Sequence, residues 1–224
     1  MADSRQAPTN QRRQAAADAR DKILAAAAEC IVRDGLAQVR MASIARTAGV
    51  SSGLLHYHFD TKEQLFGEVL TYSHAVSAEL NQRAMDNAGE SPAERLSSFL
   101  DRCLPSDHQR ADEWLLWQEL ALLCIRDPHL AKVGADLYED LYSTVADIVR
   151  DGVTTGVFDT ALEPRFVAET AVALTDGLGA RVLAREPNLG IEEARAAIAT
   201  TVGILVGYDG PLPLPAPFEG EAEA

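Results

Sequence analysis

The side chains best suited to recognise another molecule lie in one stretch of this sequence, AGVSSGLLHYHFDTKEQLF, from Ala48 to Phe66. The stretch carries serine, histidine, tyrosine and lysine, which donate hydrogen bonds or positive charge. Such groups bind the phosphate oxygens and base edges of nucleic acid. They must be positioned by neighbouring elements, because helices of about eight residues are marginal in water by themselves.

The pattern of apolar residues predicts two short helices, over residues 41–48 and 52–59, joined by a turn at Gly49. This is the helix-turn-helix pattern. In the second helix Leu55 and Phe59 are four residues apart, so they face inward together. The polar residues of that helix must then face outward.

The rest of the chain is also predicted to be helical. A helix is expected over residues 17–34, ended by Gly35, and Thr61 with Gln64 has the spacing of a capping box at the start of a long helix. Apolar residues recur every three or four positions and not every two, which predicts no strand and about nine helices. The expected fold class is therefore all-α.

Charge is distributed unevenly along the 224 residues, whose formal net charge is −14. Through Leu70, nine basic residues stand against eight acidic ones, a charge of +1, so the remainder carries −15. A near-neutral N-terminal part on an acidic body can approach DNA with one end only.

Other kinds of site are not indicated. Cys30, Cys103 and Cys124 have neither disulfide nor metal-ligand spacing, which is typical of reduced core residues. His56 and His58 are two residues apart on a helix, so they point about 200° apart and cannot share a metal ion. The sequence holds no glycine-rich phosphate loop, nucleophile elbow or HExxH pattern, so we expect no enzyme, metal or cofactor. With no apolar run of membrane-spanning length, we expect a cytoplasmic protein with no membrane association.

The segment MASIARTAGVSSGLLHYHFDTKEQLF resembles the DNA-binding domain of the TetR family of transcriptional regulators. The resemblance covers residues 20–68 and rests on the Ile-Ala pair, the Ala-Gly-Val-Ser turn, the Gly-x-x-x-Tyr-His-Phe helix and the lysine that follows. ALTDGLGARVLA, in the C-terminal half, is similar to the family's regulators of choline and betaine genes. The family resemblance implies a recognition helix over residues 52–59 and a homodimer that reads a palindrome in double-stranded DNA, with half-sites about 34–36 Å apart.

Carried over by position, the resemblance assigns the outward residues to DNA. Gly53 permits close approach of the backbone, phosphate contacts are expected from Ser51, His56, Tyr57 and Lys62, and base contacts from Ser52, Leu54 and His58. Arg40 replaces the usual Thr or Ser cap of the preceding helix and is expected to contact phosphate instead. His56 replaces the first of two tyrosines and is a weaker, pH-dependent substitute.

The resemblance also divides the chain into domains. Residues 17–65 are expected to form a three-helix DNA-binding domain and residues 66–208 a larger helical domain for ligand binding and dimerisation. Residues 1–16 are expected to be a flexible basic tail, either disordered or reaching a minor groove. Residues 209–224 are expected to be a Pro-rich acidic tail, extended or disordered.

A ligand pocket is predicted around the segment from Trp114 to Ile125, which is apolar on nearly every side and reads as a central helix. Trp114, Trp117, Gln118 and Ala121 share one face, where aromatic rings lie beside an amide. Around it the resemblance would place Tyr72, Phe99, Cys103, Tyr138, Tyr142 and Phe166, for each of which a plain core role is the alternative. Glu119 would favour a cationic ligand if it faced inward.

The last two helices carry small and apolar stripes that are wide enough to pack against a second copy of the chain. The predicted interface residues are Leu174, Gly177, Leu178 and Arg181 on one helix, and Ala194, Ala197, Ile198, Thr201 and Leu205 on the other. Core packing within one chain is the competing explanation. The sequence thus predicts a dimeric transcriptional regulator, most simply a repressor released by a small-molecule inducer. The alternative is a dimeric sensor or interaction protein whose DNA-binding end has lapsed.

Overall fold

Helices form almost the whole structure, a computed structural model that describes residues 7–215, with side chains from residue 14 onward. Over these residues there are nine helices and no strand, which confirms the all-α prediction. The helices are α1 (Ala7–Asp34), α2 (Met41–Thr47), α3 (Ser52–His58), α4 (Lys62–Asn87), α5 (Pro92–Arg102), α6 (His108–Arg126), α7 (Pro128–Thr154), α8 (Pro164–Leu183) and α9 (Ile191–Val206).

The chain divides into two compact units. The first unit holds the residues up to Ala75 together with Leu115–Gly134, and the second holds Val76–Trp114 together with the residues from Ala135 onward. Helices α4, α6 and α7 each contribute to both units. The domain boundary placed after residue 65 stays a prediction.

Helix α1 begins at Ala7, ten residues before the predicted start. The added residues include Gln, Arg and Ala, which favour helix, and extending an existing helix costs little once it is nucleated. Residues 7–16 therefore belong to α1 and not to a flexible tail. Residues 1–6, including Arg5, and the side chains of Arg12 and Arg13 lie outside the described part of the chain.

The core of the first unit is formed by α1, α2, α3 and the start of α4. Ile23 and Ile31 of α1, Ile44 of α2 and Leu55 of α3 are all completely buried. Phe59, the residue after α3, is buried with them. This arrangement fixes the orientation of α3, because Leu55 and Phe59 hold one face of it against the core.

Turns and caps hold these short helices in place. Gly35 has φ +73°, a left-handed conformation that glycine adopts without strain, and it ends α1. The Ser51 hydroxyl accepts a hydrogen bond from the Leu54 N–H at 3.1 Å, and the Thr61 hydroxyl accepts one from the Gln64 N–H at 3.0 Å. The Arg40 side chain makes no capping bond to α2, as expected of a residue without a short acceptor.

The second unit has its own core, to which α5, α7, α8 and α9 contribute. Phe99, Val149, Val167 and Val202 are among its fully buried residues. The chain after α9 continues this packing, since Leu212 is buried and donates its N–H to the Ala199 carbonyl at 3.0 Å. The beginning of the predicted C-terminal tail is thus packed, and residues 216–224 lie outside the described part.

Helix α6 differs from the central helix that its composition predicted. Leu116 and Leu120 are buried, whereas Leu115, Leu122 and Ile125 are exposed, the last at 80%. Within one chain, therefore, only one face of this apolar helix is covered. Over the described residues, no helix has the length and apolar character needed to cross a lipid bilayer.

Candidate DNA-binding surface and ligand site

The exposed face of α3 carries most of the residues that the sequence assigned to DNA. Ser51, Ser52, Gly53, Leu54 and His56 are exposed. Tyr57 is 79% exposed, which is unusual for so large an aromatic side chain. The Ser52 hydroxyl, the His56 imidazole and the Tyr57 phenol therefore lie on the surface, where another molecule can contact them.

His58 lies differently from the prediction. Its ring is partly buried, edge-on to Tyr57 with centroids 5.2 Å apart and beside Phe59 at 6.2 Å. Its Nε2 atom is buried without a hydrogen-bond partner among the described residues. Of the three residues predicted to read bases, Ser52 and Leu54 are thus the exposed ones.

Lys62 is engaged within the first unit. Its ammonium donates a hydrogen bond to the Leu36 carbonyl at 3.2 Å and lies 5.1 Å from the centroid of the Phe66 ring. The N–H of the same Leu36 donates to the Glu119 carboxylate at 3.1 Å. Glu119 therefore binds backbone, and the two charged side chains bind the N–H and the carbonyl of the same residue, Leu36.

In the second unit, a carboxylate and three aromatic side chains come together. Tyr138 of α7 donates its hydroxyl proton to Asp176 of α8 at 2.9 Å. The Tyr142 ring lies 5.8 Å from the Tyr138 ring. The Trp114 indole donates to the Cys103 carbonyl at 2.9 Å.

Trp114 also packs directly on α8, one turn beyond Asp176. A Cβ atom at Gly179 would lie 2.4 Å from Cζ2 of the Trp114 ring, so only glycine admits the indole there. Burial raises the pKa of Asp176 above its ordinary value, and the hydrogen bond from Tyr138 acts in the opposite direction. Burial raises the pKa of Cys103 to about 12, so this cysteine is an unreactive thiol at neutral pH.

The other predicted pocket residues are dispersed. Phe99 is buried in the core of the second unit, and Phe166 is 52% exposed. In the first unit Trp117 meets His74 edge-on at 6.2 Å, while Gln118 and Ala121 are exposed. Gln118 is two residues from both buried leucines of α6, so helix geometry turns it away from them.

Tyr72 of α4 is half-buried. A small, shallow cleft elsewhere in the second unit is lined by residues of α5 and α9, by Leu104, and by Leu212 and Leu214, and none of the predicted pocket residues lines it. Within the described side chains, no group of three His, Cys, Asp or Glu residues is placed to hold a metal ion.

The predicted interface stripes are partly buried in the single chain. Ala194 and Ile198 are buried, because these two positions, four apart on α9, both face the core of their own unit. We therefore withdraw them from the predicted interface. Leu174, Leu178 and Leu205 are partly buried against the same core. Ala197 is half-buried, and Gly177, Arg181 and Thr201 are exposed.

Sequence reasoning missed two residues. Ile204 is 74% exposed on α9, three residues after Thr201 and so on the same outward face. Asp176 is an acidic residue within an otherwise apolar segment, ALTDGLGA, and this isolation was the available signal.

Comparison with known proteins gives two family matches along the chain. Residues 23–69 match the family described as bacterial regulatory proteins, tetR family. Residues 92–207 match the family described as BetI-type transcriptional repressor, C-terminal. Together the two matches cover the helix-turn-helix and most of the second unit.

Individual relatives agree with these matches. The HTH-type transcriptional repressor KstR2 of Mycolicibacterium smegmatis is 30% identical over 158 residues, 69% of this chain and 76% of that protein. The HTH-type transcriptional regulator BetI of Ectopseudomonas mendocina is 26% identical over 180 residues, 79% and 87% of the two chains. A transcriptional regulator from Saccharomonospora viridis, solved in complex with choline, superposes with a TM-score of 0.74 at 28% identity, covering 81% of this chain and 94% of that one.

Proposed function

Since this chain belongs to the TetR family of DNA-binding transcriptional regulators, we propose that it is a homodimeric repressor that binds a palindromic operator and dissociates when a small molecule binds. The match of its C-terminal half to BetI-type repressors supports repression. A regulator of this kind acts on chromosomal DNA, so we assign the protein to the cytoplasm.

The observation that carries the proposal is the outward face of α3. Leu55 and Phe59 are completely buried and fix the helix, while Tyr57 and Leu54 stand exposed on its other sides. Two recognition helices related by a two-fold axis read half-sites about one helical turn of DNA apart. In this proposal Ser52 and Leu54 contact base edges, and Ser51, His56, Tyr57 and Arg40 contact phosphates.

Dimerisation is proposed to use the outward faces of α8 and α9. Gly177, Thr201 and Ile204 are exposed on these helices, and packing against a second copy would bury this small and apolar surface. Ile204→Glu should give a folded monomer in light scattering at concentrations where the wild type is a dimer. Ile125→Glu, an equally exposed isoleucine of α6, is the matched control and should stay dimeric. A dimeric Ile204→Glu variant would refute this interface.

A small organic molecule is proposed as the inducer. The choline complex of the Saccharomonospora viridis regulator supports such a ligand, and aromatic residues in the second unit supply apolar surface for it. We propose that ligand binding shifts α4 and thereby changes the separation of the recognition helices. Its effect is limited by the difference in its affinity for the two states.

The test is selection of DNA by the purified full-length protein. It is incubated with fragmented DNA from its source organism at low and high salt, and the retained fragments are sequenced. Enrichment of one short palindrome at low salt, lost at high salt as phosphate contacts weaken, is expected. Retention of no particular sequence at either salt concentration would refute operator binding.

A further inference from the structure

A closed circuit of side-chain contacts surrounds the point where the chain leaves α3. The guanidinium of Arg20, on α1, lies over the Phe59 ring, with Cζ 5.6 Å from the centroid. Arg20 also forms an ion pair with Glu68 of α4. Glu68 accepts a hydrogen bond from the Gln64 side chain at 3.2 Å, and the Gln64 side chain accepts one from the Asp60 N–H at 3.0 Å. Asp60 follows Phe59 in the chain, so the circuit is closed. We call these five residues the exit cluster.

Phe59 connects the exit cluster to α3. Its N–H donates to the Leu55 carbonyl at 3.0 Å, as in a helix, but its own backbone is extended, with φ −138° and ψ 111°. Its side chain is completely buried together with that of Leu55. Apolar burial of this kind is non-directional, whereas ion pairs and hydrogen bonds prefer particular geometries. The exit cluster therefore restricts the orientation of α3 in a way that burial of two apolar side chains does not.

Contact with a DNA phosphate is the other role open to an arginine in this domain. Arg20, however, already has two partners within the first unit, the face of the Phe59 ring and the Glu68 carboxylate. The paired oxygen of Glu68 is itself buried. The Arg20 side chain is 43% exposed, and an ion pair of this exposure contributes little to folding stability. Its place in the circuit is therefore better explained by orientation of α3 than by stability or by contact with phosphate.

We propose that Arg20, Gln64 and Glu68 are positioning residues for operator recognition, which fix the orientation of α3 without contacting DNA. The inference rests on the proposed function, in which Ser52 and Leu54 of α3 contact base edges. Contacts to base edges carry the sequence information and depend on the orientation of the helix. Attraction to the phosphates depends mainly on charge. Loss of the exit cluster should therefore reduce the preference for the operator over other DNA and leave general DNA affinity unchanged.

Glu68→Gln distinguishes positioning from phosphate contact, because the two roles predict opposite effects. If Glu68 holds Arg20 in place to orient α3, the substitution should weaken operator binding about five-fold, as expected for loss of one partly exposed ion pair in each protomer. If Arg20 contacts phosphate, its release from Glu68 and the removal of a negative charge should strengthen binding to any DNA. Stronger binding by Glu68→Gln would overturn the proposal.

Fluorescence anisotropy on the full-length protein measures both affinities, with the selected operator and with a scrambled duplex of equal length. Arg20→Met should lose operator affinity like Glu68→Gln, with unchanged affinity for the scrambled duplex. The double variant should bind the operator no more weakly than either single variant, since both changes break the same contact. If Arg20→Met reduced the slope of log affinity against log salt by about 0.9 per protomer, Arg20 would contact phosphate. Equal loss of affinity for both duplexes would also refute positioning.

A second ion pair on α1 supplies matched controls. Arg33 pairs with Glu29 four residues earlier on the same helix, and its side chain is 47% exposed, close to the value for Arg20. Arg33→Met and Glu29→Gln therefore make the same changes of charge as Arg20→Met and Glu68→Gln, but in a pair that joins α1 only to itself. Both control variants should bind the operator and the scrambled duplex like the wild type.

Hydrogen exchange measured by mass spectrometry tests the exit cluster without DNA, so failure of the two proposals can be told apart. Amides of α3 should exchange about two-fold faster or more in Glu68→Gln and in Arg20→Met than in the wild type, while those of α9 should be unchanged. Unchanged exchange in α3 would overturn the positioning role, whatever DNA the protein binds. If α3 exchanges faster as expected but the wild type selects no operator, the exit cluster stands and the proposed operator binding fails.

Discussion

The contact between Gly179 and Trp114 makes a prediction whose magnitude can be worked out. In Gly179→Ala the new methyl group would lie 2.4 Å from Cζ2 and 2.7 Å from Cη2 of the indole, far inside normal carbon contact of about 3.5–4.0 Å. The ring would have to move, straining its hydrogen bond to the Cys103 carbonyl. Overpacking lowers the free energy of unfolding by about 1–3 kcal/mol, and the weakened hydrogen bond lowers it by about 1 kcal/mol. The higher helix propensity of Ala offsets about 1 kcal/mol of this loss.

Gly179→Ala should therefore lower the free energy of unfolding by about 1–3 kcal/mol, which at this chain length is about 2–4 °C of melting temperature per kcal/mol. Thermal and urea unfolding measure it. Trp114→Phe removes the colliding atoms, so in that background the same substitution should be neutral or slightly stabilising. If Gly179→Ala costs the same in both backgrounds, or stabilises the wild type, the collision is not the reason for glycine here.

Three further substitutions test the site. Because the Lys62 ammonium is bound to the Leu36 carbonyl, Lys62→Met should lower the free energy of unfolding by about 1 kcal/mol. It should leave the salt dependence of operator binding unchanged. If the slope of log affinity against log salt instead fell by about 0.9 per protomer, Lys62 would contact phosphate. Tyr57→Ala should leave stability within about 0.5 kcal/mol and weaken operator binding about ten-fold or more in fluorescence anisotropy; unchanged affinity would remove Tyr57 from the interface. Burial raises the pKa of the Asp176 carboxyl group above its ordinary value. The folded state therefore keeps the carboxyl proton to a higher pH than the unfolded chain does. The contribution of Asp176 to stability is lost as pH rises through the raised pKa. Asp176→Asn should consequently melt at a higher temperature than the wild type at neutral pH, and the difference should vanish as pH falls to about 4; a difference that does not vary with pH would contradict this account.

Most of the fold could be predicted from the sequence, because residues close together in the chain determine where most of the helices begin and end. Gly35, Ser51 and Thr61 mark helix ends through conformations and hydrogen bonds made within a few residues. The inward face of α3 follows from the spacing of Leu55 and Phe59. The start of α1 was wrong by ten residues, because polar helix formers without an apolar stripe give no periodic signal to extend the helix.

Burial on apolar helices could not be predicted in the same way. Helix α9 offers small or apolar residues on every side, so the sequence does not say which stripe meets the chain's own core. The structure buries Ala194 and Ile198, leaves Thr201 of the same stripe exposed, and exposes Ile204, which the predicted stripe did not include. Likewise Gln118 was assigned to a pocket because it shares a face with two tryptophans, but a shared face does not determine what covers it.

Contacts between distant residues explain the remaining difference, and the backbone of Leu36 is the clearest case. Its N–H is bound by Glu119, 83 positions away, and its carbonyl by Lys62, 26 positions away. No local pattern connects these residues, so sequence reasoning gave Glu119 a ligand role only if it faced inward and assigned Lys62 to phosphate. Both partners are charged, and a hydrogen bond to a charged group contributes about 1.5–3 kcal/mol where water is excluded, and less at this partly exposed turn. Leu36 lies between α1 and α2, in the turn that precedes the helix-turn-helix. Its partners belong to α6 and to the first turn of α4. Two side-chain hydrogen bonds thus join the turn before the helix-turn-helix to residues of α4 and α6.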